Sequence, residues 1–131
     1  MSYSNILVYV GGELVGDGLI KLPFIYNLRQ AYPQAKITWC YGEFDSVYKT
    51  VLAPLVTSQI NEIVALKELR PNCFDLVIDT QSEWLTTLKL KWSLKYKKFF
   101  SPTLGYFLSD FKPFKGYRAL LQKKLEVKGV L

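Results

Sequence analysis

The chain has 131 residues, a formal net charge of +6 and no histidine. That length suits one domain, 1–131, able to bury a core without disulfides or metals. A hydrophobic content of 50%, broken into short runs by Gly, Pro and charged residues, excludes intrinsic disorder. No run approaches the roughly 18 apolar residues that a bilayer span requires, and no basic stretch precedes the apolar run at 6–10, so a cytoplasmic location is expected.

Cys40 and Cys73 stand far apart and in no CxxC pattern. Without histidine, a zinc centre or a His-assisted nucleophile is excluded, and both cysteines are expected as small buried side chains in a reducing compartment. The charge is unevenly distributed. Residues 1–82 hold 6 Lys+Arg against 8 Asp+Glu, a net of −2, whereas residues 83–131 hold 11 against 3, a net of +8. The basic C-terminal third is either a solvated surface or a site for an anionic partner such as a phosphorylated lipid, a membrane surface or nucleic acid.

The run NILVYV at 5–10 is apolar and rich in β-formers, and it stops at Gly11 and Gly12, as a strand buried on both faces should. From Gly18 onward, apolar residues recur at spacings of three and four up to Tyr32-Pro33, which predicts a helix. Pro23 marks either a kink in it or its first turn. A second strand is expected at 36–41, a second helix at 44–52 ended by Ala53-Pro54, a weaker strand at 62–66 and a strong one at 74–79.

Trp84, Leu85, Leu88, Trp92 and Tyr96 share a helical face, so a helix over 84–96 should bury that face, with Lys91 and Lys95 at its borders. A fifth strand follows at 97–100. Residues 101–116 read as an ordered loop. Residues 117–127 form an amphipathic helix that either docks on the sheet or lies on a membrane surface, within a basic C-terminal extension at 111–131. No internal repeat is present. The alternation of strands and helices predicts an α/β fold with a Rossmann-like, doubly wound parallel sheet.

In such a sheet ligands bind where strands end and helices begin, so the turn Gly11-Gly12-Glu13-Leu14-Val15-Gly16-Asp17-Gly18 is the leading candidate site. Its glycines let the backbone approach a ligand, and free N–H groups at a helix start favour anions. It is neither a P-loop, since Asp17-Gly18 follows Gly16 where Lys-Ser/Thr is needed, nor a dinucleotide fingerprint, since GxGxxG fits in no register. The pattern leaves Asp17 as either a helix N-cap or a catalytic carboxylate.

The segment ILVYVGGELVGDGLIKLPFIYNLRQAYPQAKITWCYG, with FDLVIDTQSEW further on, resembles the N-terminal domain of the glycosyltransferase family that includes the lipopolysaccharide heptosyltransferases. The resemblance rests on Gly16-Asp17, Pro23, Arg29, Tyr32-Pro33 and the run Asp75-Leu76-Val77-Ile78-Asp79-Thr80-Gln81, and it covers about residues 5–110. It implies half of a two-domain GT-B enzyme that transfers a sugar, often heptose, from a nucleotide-diphosphate donor to a lipid-linked acceptor at the inner face of a bacterial membrane, with inversion.

On that resemblance Asp17 is the general base, and no metal or bound cofactor is required. Gly11, Gly12, Gly16 and Gly18 shape the loop, and Gln81 lies near the same cleft. Glu13 stands where many relatives carry small hydroxyl residues. The family's donor-binding second domain has no counterpart up to Leu131, so a separate donor domain is expected as partner, or self-association of the face it would cover. The alternative is a shortened, catalytically inert remnant that binds at most an anion or a membrane surface. Nucleic-acid binding lacks any recognisable module.

Overall fold

The computed structural model describes residues 3–12, 14–42, 44–69, 73–81 and 83–101. Five strands, β1 (Asn5–Val10), β2 (Lys36–Tyr41), β3 (Glu62–Ala65), β4 (Cys73–Asp79) and β5 (Lys95–Phe100), form one all-parallel sheet in the order β3-β2-β1-β4-β5. Every residue of β1 and β2 except the first is buried, which accounts for their unbroken apolar runs. The chain winds outward from β1 to β3, then returns to the other side of β1 to build β4 and β5. That reversal places the ends of β1 and β4 side by side, with Tyr9 opposite Asp79. The expected doubly wound, Rossmann-like α/β fold is the one observed.

Alternate residues of β1 feed two cores. Ile6, Val8 and Val10 face α1 (Val15–Ala31), packing with Phe24, Ile25, Leu28 and the fully buried Trp39 and Tyr48. Leu7 and Tyr9 face the opposite side, with Val77, Phe99 and Leu90 of α3 (Trp84–Ser93). Residues 102–131 lie outside the described residues, and with them most of the expected loop at 101–116, the helix at 117–127 and the basic extension; so does Glu13.

Several elements differ from expectation for identifiable reasons. Helix α1 begins at Val15 rather than Gly18, and Pro23 lies inside it. Pro23 and Leu19, whose carbonyl the proline cannot reach with an N–H, are both exposed, so water is available to that carbonyl. The helix expected at 44–52 is instead a 3₁₀ turn, Val47–Lys49, capped by the Ser46 hydroxyl, which accepts from the Tyr48 N–H; Ala53-Pro54 opens a one-turn helix, α2 (Ala53–Val56), rather than ending one. Cys40 is buried, and burial pushes its thiol up to about 12, but Cys73 is exposed.

Helix α3 stops at Ser93, with Tyr96 in β5, and it is turned the other way from the expected face. Trp84, Leu85 and Trp92 point outward, while Thr87 and Leu90 are buried. The reason is Asp79, a fully buried carboxylate at the end of β4. It accepts hydrogen bonds from the Thr87 hydroxyl at 2.6 Å, the Ser101 hydroxyl at 2.8 Å and the Gln81 N–H at 2.9 Å. Leaving that carboxylate without donors is far worse than exposing an indole, so the polar bond sets the helix rotation. Burial raises the Asp79 carboxyl above its ordinary range, opposed by these three bonds.

Near the opposite end of β4 Asp75 performs a similar service. Its Oδ2 accepts from the Ser4 N–H (2.8 Å), the Ser4 hydroxyl (2.7 Å) and the Asn5 N–H (3.1 Å), while Oδ1 lies 3.4 Å from Lys97 Nζ. Arg29, in the last turn of α1, closes the α1–β2 corner by donating to the carbonyls of Ala35 (2.7 Å) and Gln59 (3.0 Å) and to Asn61 Oδ1 (2.7 Å). Asn61 Oδ1 also accepts from the Ile37 N–H at 2.8 Å. Arg29 is therefore explained by its local role at this corner.

Replacing Asp79 by Ala, which removes all three acceptor contacts, is expected to destabilise the fold by about 3 kcal/mol, whereas Asn, able to accept from Gln81 and donate to the two hydroxyls, costs about 1 kcal/mol. Thermal melts of both variants check this, and equal losses would refute the bonding account. The Ser4 hydroxyl above all, then the Ser4 N–H and Lys97, hold the Asp75 carboxyl down to about 2 from an ordinary 3.8. Because the folded value is the lower one, the stabilisation is complete above pH 3.8 and is lost as pH falls through about 2. The melting-temperature gap between the native chain and Asp75→Asn should shrink across that window; a gap independent of pH would contradict it.

Candidate functional site

The switch in winding direction between β1 and β4 leaves a crevice at the carboxyl ends of these strands, the usual ligand position in open α/β sheets. Here it is a cleft of about 520 Å³ lined by Tyr9, Gly11, Gly12, Leu14, Asp17, Phe44, Gln81, Glu83 and Thr86. Four residues singled out from the sequence, Gly11, Gly12, Asp17 and Gln81, meet there. Gly16 and Gly18 do not line it.

The loops around the cleft are stitched together by their backbones. Gly42 N–H donates to Val10 O at 2.9 Å, Phe44 N–H to Gly11 O at 3.0 Å, and Thr80 donates to Tyr9 O through both N–H (3.1 Å) and hydroxyl (2.9 Å). This proximity leaves no room for side chains. Gly12 has φ +123°, and a Cβ there would press into the Phe44 backbone and lie 2.6 Å from its Cβ. A Cβ at Gly11 would stand 3.2 Å from Gln81 Oε1, so the bare backbone makes space for that amide.

Gly18, the fourth residue of α1, is buried for a different reason. A Cβ there would lie 2.7 Å from Leu52 and 2.8 Å from Val47, and its carbonyl accepts from the buried Tyr48 hydroxyl at 2.6 Å. Gly18 thus lets α1 seat against the 47–52 segment, which fixes the helix turn carrying Asp17. Gly16 is exposed and has nothing within 4 Å of a Cβ position.

Asp17 is not an N-cap. That position belongs to Leu14, whose side chain makes no capping bond, and Asp17 is three residues further on, in the first turn. Its carboxylate is exposed and, among the described residues, has no hydrogen-bond or ion-pair partner. The second carboxylate of the cleft is differently employed. Glu83 caps α3, accepting from the N–H groups of Leu85 (3.1 Å) and Thr86 (3.2 Å) and from the Thr86 hydroxyl. The Thr86 hydroxyl above all, with the two N–H groups, holds the Glu83 carboxyl below its ordinary range.

Among the described lining residues there are two carboxylates and no Lys or Arg, which suits hydroxyl groups that donate better than a phosphate side-chain contact. The N–H groups of the first turn of α1 remain as anion donors. Among the described residues no group of three or more Cys, Asp or Glu is placed to hold a metal ion. Leu14 belongs to the expected turn, whereas Tyr9, Phe44, Glu83 and Thr86 were not readable as site residues. Of these only Glu83, an acid preceding a helical apolar pattern and hence a capping candidate, carries a signal in the sequence.

No protein-family model matches the sequence, and no curated protein matches it significantly. Among solved structures, the chain is similar to a glycosyl transferase family 9 protein from Veillonella parvula DSM 2008, with a TM-score of 0.59 at 20% sequence identity. The match covers 100% of this chain and 44% of that one. The chain thus spans less than half of that protein's length, and the likeness is one of fold.

Packing at the two helical glycines separates their roles. Gly16→Ala should leave stability unchanged or raise it by up to about 0.5 kcal/mol through helix propensity. Gly18→Ala should lower it by about 2 kcal/mol through overpacking against Leu52 and Val47. Denaturant titration of both variants decides; a Gly18→Ala chain as stable as the native one would mean that this seating is not rigid.

Proposed function

We propose that the chain is the acceptor-side half of a heptosyltransferase-like glycosyltransferase, with Asp17 as the general base. The observation that carries this reading is the Asp17 carboxylate, without a partner among the described residues, at a cleft it shares with Gly11, Gly12 and Gln81, at the switch point of a fold like that of a glycosyl transferase family 9 protein.

In this scheme an acceptor hydroxyl lies against Asp17 and loses its proton to the carboxylate as its oxygen attacks the anomeric carbon from the face opposite the leaving group. The bond from that carbon to the nucleoside diphosphate breaks as the glycosidic bond forms, and the configuration inverts. The nucleotide-diphosphate sugar is the co-substrate, bound by a donor domain in the same polypeptide or another. Gln81 orients acceptor hydroxyls, and the glycines keep the cleft floor low enough for a sugar ring to approach. The acidic lining favours the polyhydroxyl part of a lipopolysaccharide-type acceptor, while its phosphates are assigned to basic residues outside the cleft. Glu83, already engaged by the α3 N-terminus, is the weaker base candidate.

Assembled with a donor domain and assayed for sugar transfer, Asp17→Asn should lower kcat by roughly 10²- to 10⁴-fold with little change in melting temperature, since the side chain is exposed and unbonded among the described residues. Glu83→Gln should show the reverse pattern, a lower melting temperature with most activity retained. Undiminished turnover in the Asp17 variant would remove it from the mechanism.

A further inference from the structure

Helix α3 displays an apolar stripe to the outside. Trp84, Leu88 and Trp92 recur every four residues on one face, with Leu85 beside them; Trp92 is 82% exposed, Leu85 59% and Trp84 49%. The stripe cannot rotate inward. Thr87 is bonded to buried Asp79, Leu90 is in the core, and Lys91 Nζ sits 4.8 Å from the centre of the Phe99 ring.

From Trp84 onward the charge along the stripe is of one sign, and the Glu83 carboxylate at its start is taken up by the N-terminal N–H groups of the helix. Residues 84–101 contain five lysines and no acidic residue, and Lys89, Lys95 and Lys98 are exposed. Lys89 is on the helix itself, and Lys95 opens β5 two residues after the helix ends. A second copy of the chain would oppose lysines to lysines. A nucleic-acid strand is usually tracked along a basic groove, and an outward helix face with leucines between its indoles is not a groove. Indoles at headgroup depth, aliphatic side chains between them and ammonium groups at the rim are what an anionic lipid interface takes up.

We infer that the outer face of α3 docks on an anionic lipid bilayer. Since the same helix begins at Glu83 and Thr86 on the cleft lip, docking would hold the cleft beside the membrane surface, where a lipid-linked acceptor is presented. The orientation of α3 carries this inference without any role for Asp17, so it stands or falls separately from the proposed chemistry.

The test uses the full chain with vesicles of phosphatidylcholine alone or with about 30% phosphatidylglycerol, a fraction chosen to give an anionic surface potential, and with bromine-labelled lipid as a quencher. Trp84 and Trp92 should shift to the blue and be quenched on the anionic vesicles only, with binding weakening as salt is raised. Buried Trp39 supplies an unquenched background. Trp92→Ser, at an exposed position and with an unchanged melting temperature, should lower partitioning about tenfold. Lys89→Glu combined with Lys95→Glu should abolish the preference for anionic vesicles. Absence of quenching, or equal partitioning by the Trp92→Ser chain, overturns the inference. Stronger indole quenching by a single-stranded oligonucleotide, or a concentration-dependent dimer lost in Trp92→Ser, overturns it in favour of nucleic acid or self-association respectively.

Discussion

A buried carboxylate is among the costlier things a small α/β sheet can contain, and Asp79 is such a group, with no ion-pair partner among the described residues. Its cost is offset by donors from three separate segments: the residue leaving β4 toward the cleft, the second turn of α3 and the residue leaving β5. Each of these is thereby fixed relative to the end of β4. The position of Gln81, the rotation of α3 and the closure of the β4–β5 edge are consequences of one polar cluster. Asp75 anchors the opposite end of the same strand to the start of β1, so β4 is pinned at both of its ends.

The cleft inherits its shape from this arrangement and from the absence of side chains opposite it. Gly11 yields to Gln81 and Gly12 to the backbone of Phe44, so one wall is built from β4 and the other from the loop after β2, with β1 between them. Charge is partitioned as well. The described lining residues contribute carboxylates, whereas α3 and β5 carry five lysines and no acidic residue. A ligand that is polyhydroxylated at one end and anionic at another matches that partition better than a uniformly anionic one.

Much of the scaffold was legible in the sequence because parallel strands buried on both faces are written as unbroken β-branched and aromatic runs. The bounds of β1 and β2 follow directly from NILVYV and KITWCY. Helical faces were harder. The apolar positions of α3 have correct helical spacing, yet the rotation of the helix is decided by Thr87, whose bond to Asp79 spans two elements and leaves no local trace. The segment 44–52 fails as a helix because Ser46 caps a 3₁₀ turn directly after the loop bonded to Gly11. For the site, the glycine turn and its position after β1 mark the place, while Phe44 and Thr86 enter only through the way loops from β2 and β4 converge.

Pro23 divides the internal bonding of α1, since the carbonyl of Leu19 receives no N–H from it. The stretch from Val15 to Leu22, which carries Asp17, is thus tied less tightly along the helix axis than a helix of 17 residues would suggest. It is held instead from the side, by the Tyr48 hydroxyl on the Gly18 carbonyl and by Leu52 and Val47 against the Gly18 backbone. The 47–52 segment therefore works as a steering arm for the Asp17 turn. Whatever displaces that arm moves the carboxylate, while the rest of the helix stays clamped by Arg29.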